Sequence, residues 1–222
     1  MTAVVVPISI PIMMEYRRLG KTEVMVSSIG LGTEYLIDLP QEHVSGVIHL
    51  AIEAGVNFFD VFWAKPEFRD IMGIAFDGYR DKVLLAAHLG SGHIDGQYQA
   101  IRDTESCAAF FDDFLKRYKT EYADFLFLHD SDGREDYEEI MKPRGLKDLA
   151  LEYKEAGKTR FIGFSGHTVE TSLDAVRSGA IDVLMFPVNI AGNAVEGKQE
   201  LLRACVEHDV GLVAMKVFAG GK

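Results

Sequence analysis

Seven short apolar runs recur along this chain, separated by longer segments with helical spacing, and no other feature narrows the fold so far. The runs are Ser28–Gly32, Asn57–Phe62, Val83–His88, Ala123–His129, Arg160–Ser165, Asp182–Phe186 and Gly211–Met215. They are nearly continuously hydrophobic, as strands covered on both faces are. The segments between them carry one-sided apolar sets. Gln41–Ala54 has Val44, Val47, Ile48, Ala51 and Ile52, and Thr104–Lys119 has Ala108, Phe111, Phe114 and Leu115. Thr168–Gly179 opens on a hydroxyl suited to a helix N-cap. Gly55, Gly157, Gly179 and Gly211 stand where such helices should stop. Strand–helix alternation needs crossovers that return each strand to the same direction, so the sheet should be parallel.

An open doubly wound sheet would place a glycine-rich phosphate loop after its first strand. Gly30–Leu31–Gly32–Thr33 lacks the third glycine and the helix start that such a loop requires. The expected α/β fold is therefore a (β/α)8 TIM-type barrel, C-terminally incomplete, with seven βα strands plus an N-terminal hairpin. That hairpin is Tyr16–Met25, turning at Gly20–Lys21. The repeat stops after the seventh strand, which leaves the first and seventh strands with unpaired edges. A homo-oligomer covering the open barrel edge would relieve that exposure. The domain is expected over 14–222, with Met1–Met13 as an apolar extension containing two prolines. The extension lacks the basic start and clear cleavage site of a secretory signal, and it is too short to span a bilayer.

A length of 222 residues and a hydrophobic content of 48% supply the core that one such domain needs. The net charge of −11 argues against nucleic acid or an anionic membrane as partner, and an acidic surface also serves solubility; the expected partner, a small-molecule substrate, follows from the enzyme reading below. Cys107 and Cys205 lie far apart within predicted helices, as buried thiols of a cytoplasmic protein would.

Parallel barrels gather the C-terminal ends of their strands at one mouth, where barrel enzymes do their chemistry. Asp60 and the imidazoles of His88 and His129 lie at such ends, and His167 lies just past another. Trp63 and His167 are expected to wall the substrate pocket. An imidazole can hold and release a proton near neutral pH. Asp60 can orient it, and Lys65 can hydrogen-bond an oxyanion. Asp60, His88, His129 and His167 also form a ligand set for zinc or iron, which would suit a metal-dependent hydrolase. No short local spacing supports that alternative. Lys216, closing the seventh run, would fit Schiff-base chemistry as well.

From Met14 onward the chain resembles the aldo-keto reductases. The resemblance rests on Tyr16–Arg17–Arg18–Leu19–Gly20–Lys21–Thr22, on Ile29–Gly30–Leu31–Gly32–Thr33, on Asn57–Phe58–Phe59–Asp60 and on Asp124–Phe125–Leu126–Phe127–Leu128–His129. Ile162–Gly163–Phe164–Ser165–Gly166–His167 and Ala214–Met215–Lys216 with Ala219–Gly220–Gly221 are similar to that family's iron–sulfur branch. The resemblance implies an oxidoreductase that reduces a carbonyl or conjugated small molecule by hydride transfer from NADPH, through an Asp–Tyr–Lys–His tetrad. Asp60 and His129 match that tetrad, whereas Lys65 stands at the tyrosine position and His88 at the lysine position. The implied cofactor contacts are Gly32, Thr33, Ser165, Lys216, Gly220 and Gly221, although Gly166 and Met185 replace an asparagine and a glutamine of the family pattern. An iron–sulfur cluster is expected only with a longer chain, because two cysteines cannot hold one. With the eighth unit missing and half the tetrad replaced, a non-catalytic barrel scaffold stands beside the reductase as an alternative.

Overall fold

The apolar runs form strands, and all seven join one parallel sheet. The computed structural model describes residues 14–189 and 195–218. The chain opens with a hairpin, β1 (Tyr16–Arg18) and β2 (Met25–Ser27), followed by β3 (Leu31–Gly32), α1 (Gln41–Glu53), β4 (Phe58–Asp60), α2 (Pro66–Ala75) and β5 (Leu84–Leu89). A second hairpin, β6 (Ser91–Ile94) and β7 (Gln97–Ala100), interrupts the alternation before α3 (Thr104–Arg117). Then come β8 (Ala123–Ser131), α4 (Arg134–Met141), α5 (Leu146–Glu155), β9 (Thr159–Gly166), α6 (Val169–Arg177), β10 (Val183–Pro187), α7 (Lys198–Glu207) and β11 (Gly211–Met215). The sheet order is β3-β4-β5-β8-β9-β10-β11, so β3 and β11 are its edges. This is a curled, incomplete (β/α)8 barrel.

Successive strand residues face opposite sides, which divides the core in two. Phe59, Leu126, Leu128 and Phe164 point outward to the helices, among Ile48, Met72, Phe111 and Phe114. Phe58, Phe125, Phe127 and Met185 fill the concave side together with Leu19 from the first hairpin. Two buried faces are why these strands read as continuous apolar runs.

The first hairpin plugs the bottom of the curl and ties its two flanks together. On one flank the Asn57 side chain, just before β4, accepts from the Ser27 amide at 2.7 Å and donates to the Met25 carbonyl at 3.0 Å. On the other, Arg18 makes a two-pronged contact with Asp209, just before β11, at 2.8 and 2.9 Å. The Lys21 amide also donates to the Asp209 carbonyl at 2.6 Å. Gly20 has φ +52°, and a Cβ there would lie 2.2 Å from the Gly211 nitrogen. Only glycine lets the turn sit this close to β11.

The sequence reading needs two adjustments. The first strand is shorter than Ser28–Gly32, because residues 28–30 lead out of the first hairpin before pairing with β4 begins at Leu31. The β6–β7 hairpin was not expected. Met1–Met13 and Gly220–Gly221 lie outside the described residues. Among the described residues no helix is long and apolar enough to cross a membrane.

Two measurements test this packing. A Cβ at Gly163 would stand 2.3 Å from the Phe127 ring. Gly163→Ala should therefore lower unfolding free energy by about 1–3 kcal/mol in urea titration, and an unchanged midpoint would contradict the contact. The Arg18 hydrogen bonds hold the Asp209 carboxyl below its ordinary value. A depressed carboxyl stabilises the fold fully above its unfolded value of about 3.9 and loses that contribution as pH falls through the folded value. Exchange of the Lys21 amide should accordingly accelerate only in acid below that range.

Candidate active site

Neighbouring strands β4, β5 and β8 bring three of the expected groups together. His88 pairs in register with Phe127, so His129, two residues on, projects from the same concave face. The two imidazoles meet Nδ1 to Nδ1 at 2.7 Å. His88 Nε2 lies 3.0 Å from Asp60 Oδ1. That approach is off the line of the ring N–H, so the pair is an electrostatic contact and neither atom completes a hydrogen bond. Both rings are buried, at 7% and 6% exposure. Thr33, expected at the cofactor, instead turns inward: its amide and hydroxyl donate to the Asp60 carbonyl at 3.1 and 2.8 Å. It holds the end of β4 in place and does not line the cleft.

A fourth group arrives from the second hairpin. The Tyr98 oxygen lies 2.5 Å from His129 Nε2, extending the series to Asp60–His88–His129–Tyr98. Tyr98 is absent from the sequence expectations, yet its hairpin leaves a signal. Asp95 and Gly96 are a two-residue loop with φ +52° and +77°, the backbone of a type I′ turn. Gly90, at φ +105°, turns the chain out of β5, and Ser91 anchors the hairpin by donating to the Phe62 carbonyl at 2.6 Å. Phe62 stacks on Trp63 at 4.9 Å and on His129 at 5.8 Å, while Tyr98 sits edge-on to Trp63 at 5.5 Å. These rings wall the cluster on its hairpin side.

One proton serves the Nδ1–Nδ1 contact, which fixes the polarity of the series. The Asp60 carboxylate favours a proton on His88 Nε2, leaving His88 Nδ1 to accept from His129. His129 Nε2 then accepts from the Tyr98 hydroxyl. If the imidazole pair gains a proton, His129 Nε2 becomes a donor to the phenol oxygen and the Tyr98 proton turns outward.

A cleft of about 1000 Å³ runs along the concave side up to this cluster, and its lining includes Gly32, Trp63, Ser165, His167 and Lys216. On the far rim the Lys216 ammonium donates to His167 Nε2 at 2.8 Å, and His167 Nδ1 faces Asp132 at 2.5 Å. Lys216 holds φ +52°, a left-handed conformation that lysine seldom adopts. His167 therefore joins Lys216 and not the other imidazoles, so the four-residue metal set does not assemble. Among the described residues no group of three or more such side chains could hold a metal ion. Both nitrogens of His129 are already engaged.

Lys65 departs most from expectation. Its ammonium reaches Asp38 at 3.3 Å, and the residue is not part of the cleft lining. The pair is solvated, with side chains 32% and 82% exposed, and such pairs contribute little. Lys65→Ala should shift stability by less than about 0.5 kcal/mol. It should also leave turnover at the wild-type level, and a large loss of turnover would return Lys65 to the site.

With the site described, comparison with known proteins is informative. The sequence model of the Aldo/keto reductase family matches residues 28–222. The uncharacterised oxidoreductase YqkF of Bacillus subtilis is 25% identical over 214 residues, covering 94% of this chain and 66% of the relative. L-galactose dehydrogenase of Arabidopsis thaliana is 27% identical over 184 residues, covering 77% of this chain and 55% of its own length. A crystal structure from Pseudomonas aeruginosa, assigned to the aldo-keto reductases, superposes with a TM-score of 0.81 at 24% identity. It covers 93% of this chain and 79% of that one, and the likeness speaks to fold alone. The chain thus spans just under two thirds and just over half of these two curated relatives. The family match over nearly the whole sequence, on a curled barrel of the same architecture, establishes that this chain belongs to the aldo/keto reductase family.

Proposed function

We propose that the chain reduces a carbonyl or carbonyl-conjugated small molecule, with NADPH as the hydride donor. The observation that carries this reading is the Asp60–His88–His129–Tyr98 series, which brings an exchangeable proton to the cleft that Ser165 and Lys216 also line.

The residues present fit the nicotinamide end of such a cofactor. A volume of about 1000 Å³ is ample for a small-molecule site. Gly32 borders the cleft with no atom within 4 Å of where a Cβ would stand, so its backbone faces open space. Ser165 offers a hydroxyl for the carboxamide, and the Lys216 ammonium offers charge to a phosphate. Gly220 and Gly221 are proposed to approach the pyrophosphate. Bound there, the nicotinamide supplies a hydride.

The chain's own residues do the rest. Phe62 and Trp63 shield the reacting carbonyl from water. Its oxygen gains the π pair as the new C–H bond forms and then takes one proton from the cluster. Asp60 faces His88 Nε2 at 3.0 Å and orients the imidazole pair, which stands in for the lysine–tyrosine arrangement of the family pattern.

An iron–sulfur cluster does not fit this chain. Cys107 and Cys205 sit on separate helices, α3 and α7, and burial pushes their thiols up to about 12 and about 11. Thiols held protonated are poor cluster ligands. A second copy of the chain over the β3–β11 flank, where Ile29 and Phe218 are exposed, completes the proposal for partners.

Fluorescence titration should give saturable NADPH binding. His88→Gln and His129→Gln should each retain that binding yet lower kcat/KM for aldehydes about a hundredfold or more. Absence of saturable binding, or two variants of wild-type activity, would contradict the reading.

A further inference from the structure

We propose that the Tyr98 hydroxyl is the acid that protonates the substrate oxygen, with a protonated His129, oriented by His88 and Asp60, as the cation behind it. This rests on the carbonyl-reduction reading above and assigns its proton to one atom.

Few atoms of the series remain to meet a substrate. His129 spends Nε2 on Tyr98 and Nδ1 on His88. His88 spends Nδ1 on His129 and turns Nε2 toward Asp60. Both rings are buried, whereas Tyr98 is half-buried on the cleft wall. All four residues border the cleft, but the ring nitrogens of both imidazoles are turned to partners within the series, so the phenol is the group placed to hand a proton outward.

A free phenol releases its proton only near pH 10, so it needs a cation at its oxygen to act as an acid in neutral solution. A protonated His129 provides one, donating from Nε2 at the observed 2.5 Å and stabilising the charge left on the oxygen. The step then balances. With NADPH bound, its hydride would form the C–H bond as the carbonyl π pair moves to oxygen, and the Tyr98 proton would form the O–H bond. His129 Nε2 returns its proton to the phenolate and is left neutral, its Nδ1–H still donated to His88, and a solvent proton entering from the cleft by way of the Tyr98 oxygen restores the charged imidazole once product leaves. Net consumption is one hydride and one proton, the proton coming from solvent.

Lys65, at the family's tyrosine position, is turned to Asp38 and cannot serve. The β6–β7 hairpin, pinned by Ser91 on the Phe62 carbonyl, delivers a phenol to the same cluster from a different part of the chain.

Tyr98→Phe tests the assignment, because it keeps the ring packing against Trp63 and removes only the hydroxyl. Two readouts are compared: NADPH-dependent reduction of 4-nitrobenzaldehyde and phenanthrenequinone, and ¹⁵N-histidine NMR of the protein without nucleotide. The expected result is a loss of a hundredfold or more in both kcat and kcat/KM with NADPH affinity unchanged. The NMR should show a displaced Nε2 resonance for one histidine only. If the wild type reduces both carbonyls and Tyr98→Phe stays within threefold of it, the assignment to Tyr98 falls while carbonyl reduction stands. Unmoved histidine resonances would likewise overturn it. A wild type that reduces neither carbonyl would bring down the carbonyl reading and this proposal together.

Discussion

The hairpin beneath the sheet is the constraint on which everything above it depends. Among the described residues, the seven-stranded parallel sheet ends at β3 and β11 with no ladder closing one on the other to hold its curvature. Leu19 supplies the missing constraint by packing among Phe58, Phe125, Val183 and Met185, residues from three strands of the concave face. The tethers to Asn57 and Asp209 then fix the distance between flanks that are five strands apart. Curvature set at the bottom becomes convergence at the top. Flatten the sheet and the imidazoles still neighbour each other, but the cleft between them and Lys216 opens out.

The mouth carries two series of proton-bearing groups, each ending on a carboxylate. Asp60–His88–His129–Tyr98 is shielded by Phe62 and Trp63, whereas Asp132–His167–Lys216 stands at the exposed rim. Burial makes electrostatic coupling within the first series strong and leaves that within the second screened by solvent. That contrast suits the division proposed here, with proton transfer on one side and charge for the nucleotide on the other.

Much of this was legible in the sequence because it follows from local pattern. Strands buried on both faces leave apolar runs, and polar residues that end such runs stand out, as Asp60, His88 and His129 do. The missing phosphate loop at Gly30–Thr33 then favoured a barrel over an open sheet, and the family resemblance agreed. What escaped depends on side-chain direction or on contacts between distant residues. Thr33 follows a glycine at a strand end, but its hydroxyl is claimed by the Asp60 carbonyl 27 residues away. Lys65 sits before a helix-starting proline, and nothing local says that its side chain leaves toward Asp38. Asp95–Gly96 carries the local signal of a two-residue hairpin loop, although the expected strand pattern did not include that hairpin. That the hairpin would fold over β8 and lay Tyr98 on His129, 31 residues away, is a tertiary fact.

The central claim is that the curled sheet delivers one proton-conducting series to the place where nucleotide and carbonyl meet. A crystal structure of the protein with NADP⁺ and a carboxylate inhibitor that mimics the carbonyl tests it most directly. The account predicts an inhibitor oxygen within about 3 Å of Tyr98 Oη, with the nicotinamide beside Ser165. Nucleotide bound outside the cleft, or an inhibitor oxygen held by Lys65 with Tyr98 turned to solvent, would contradict it.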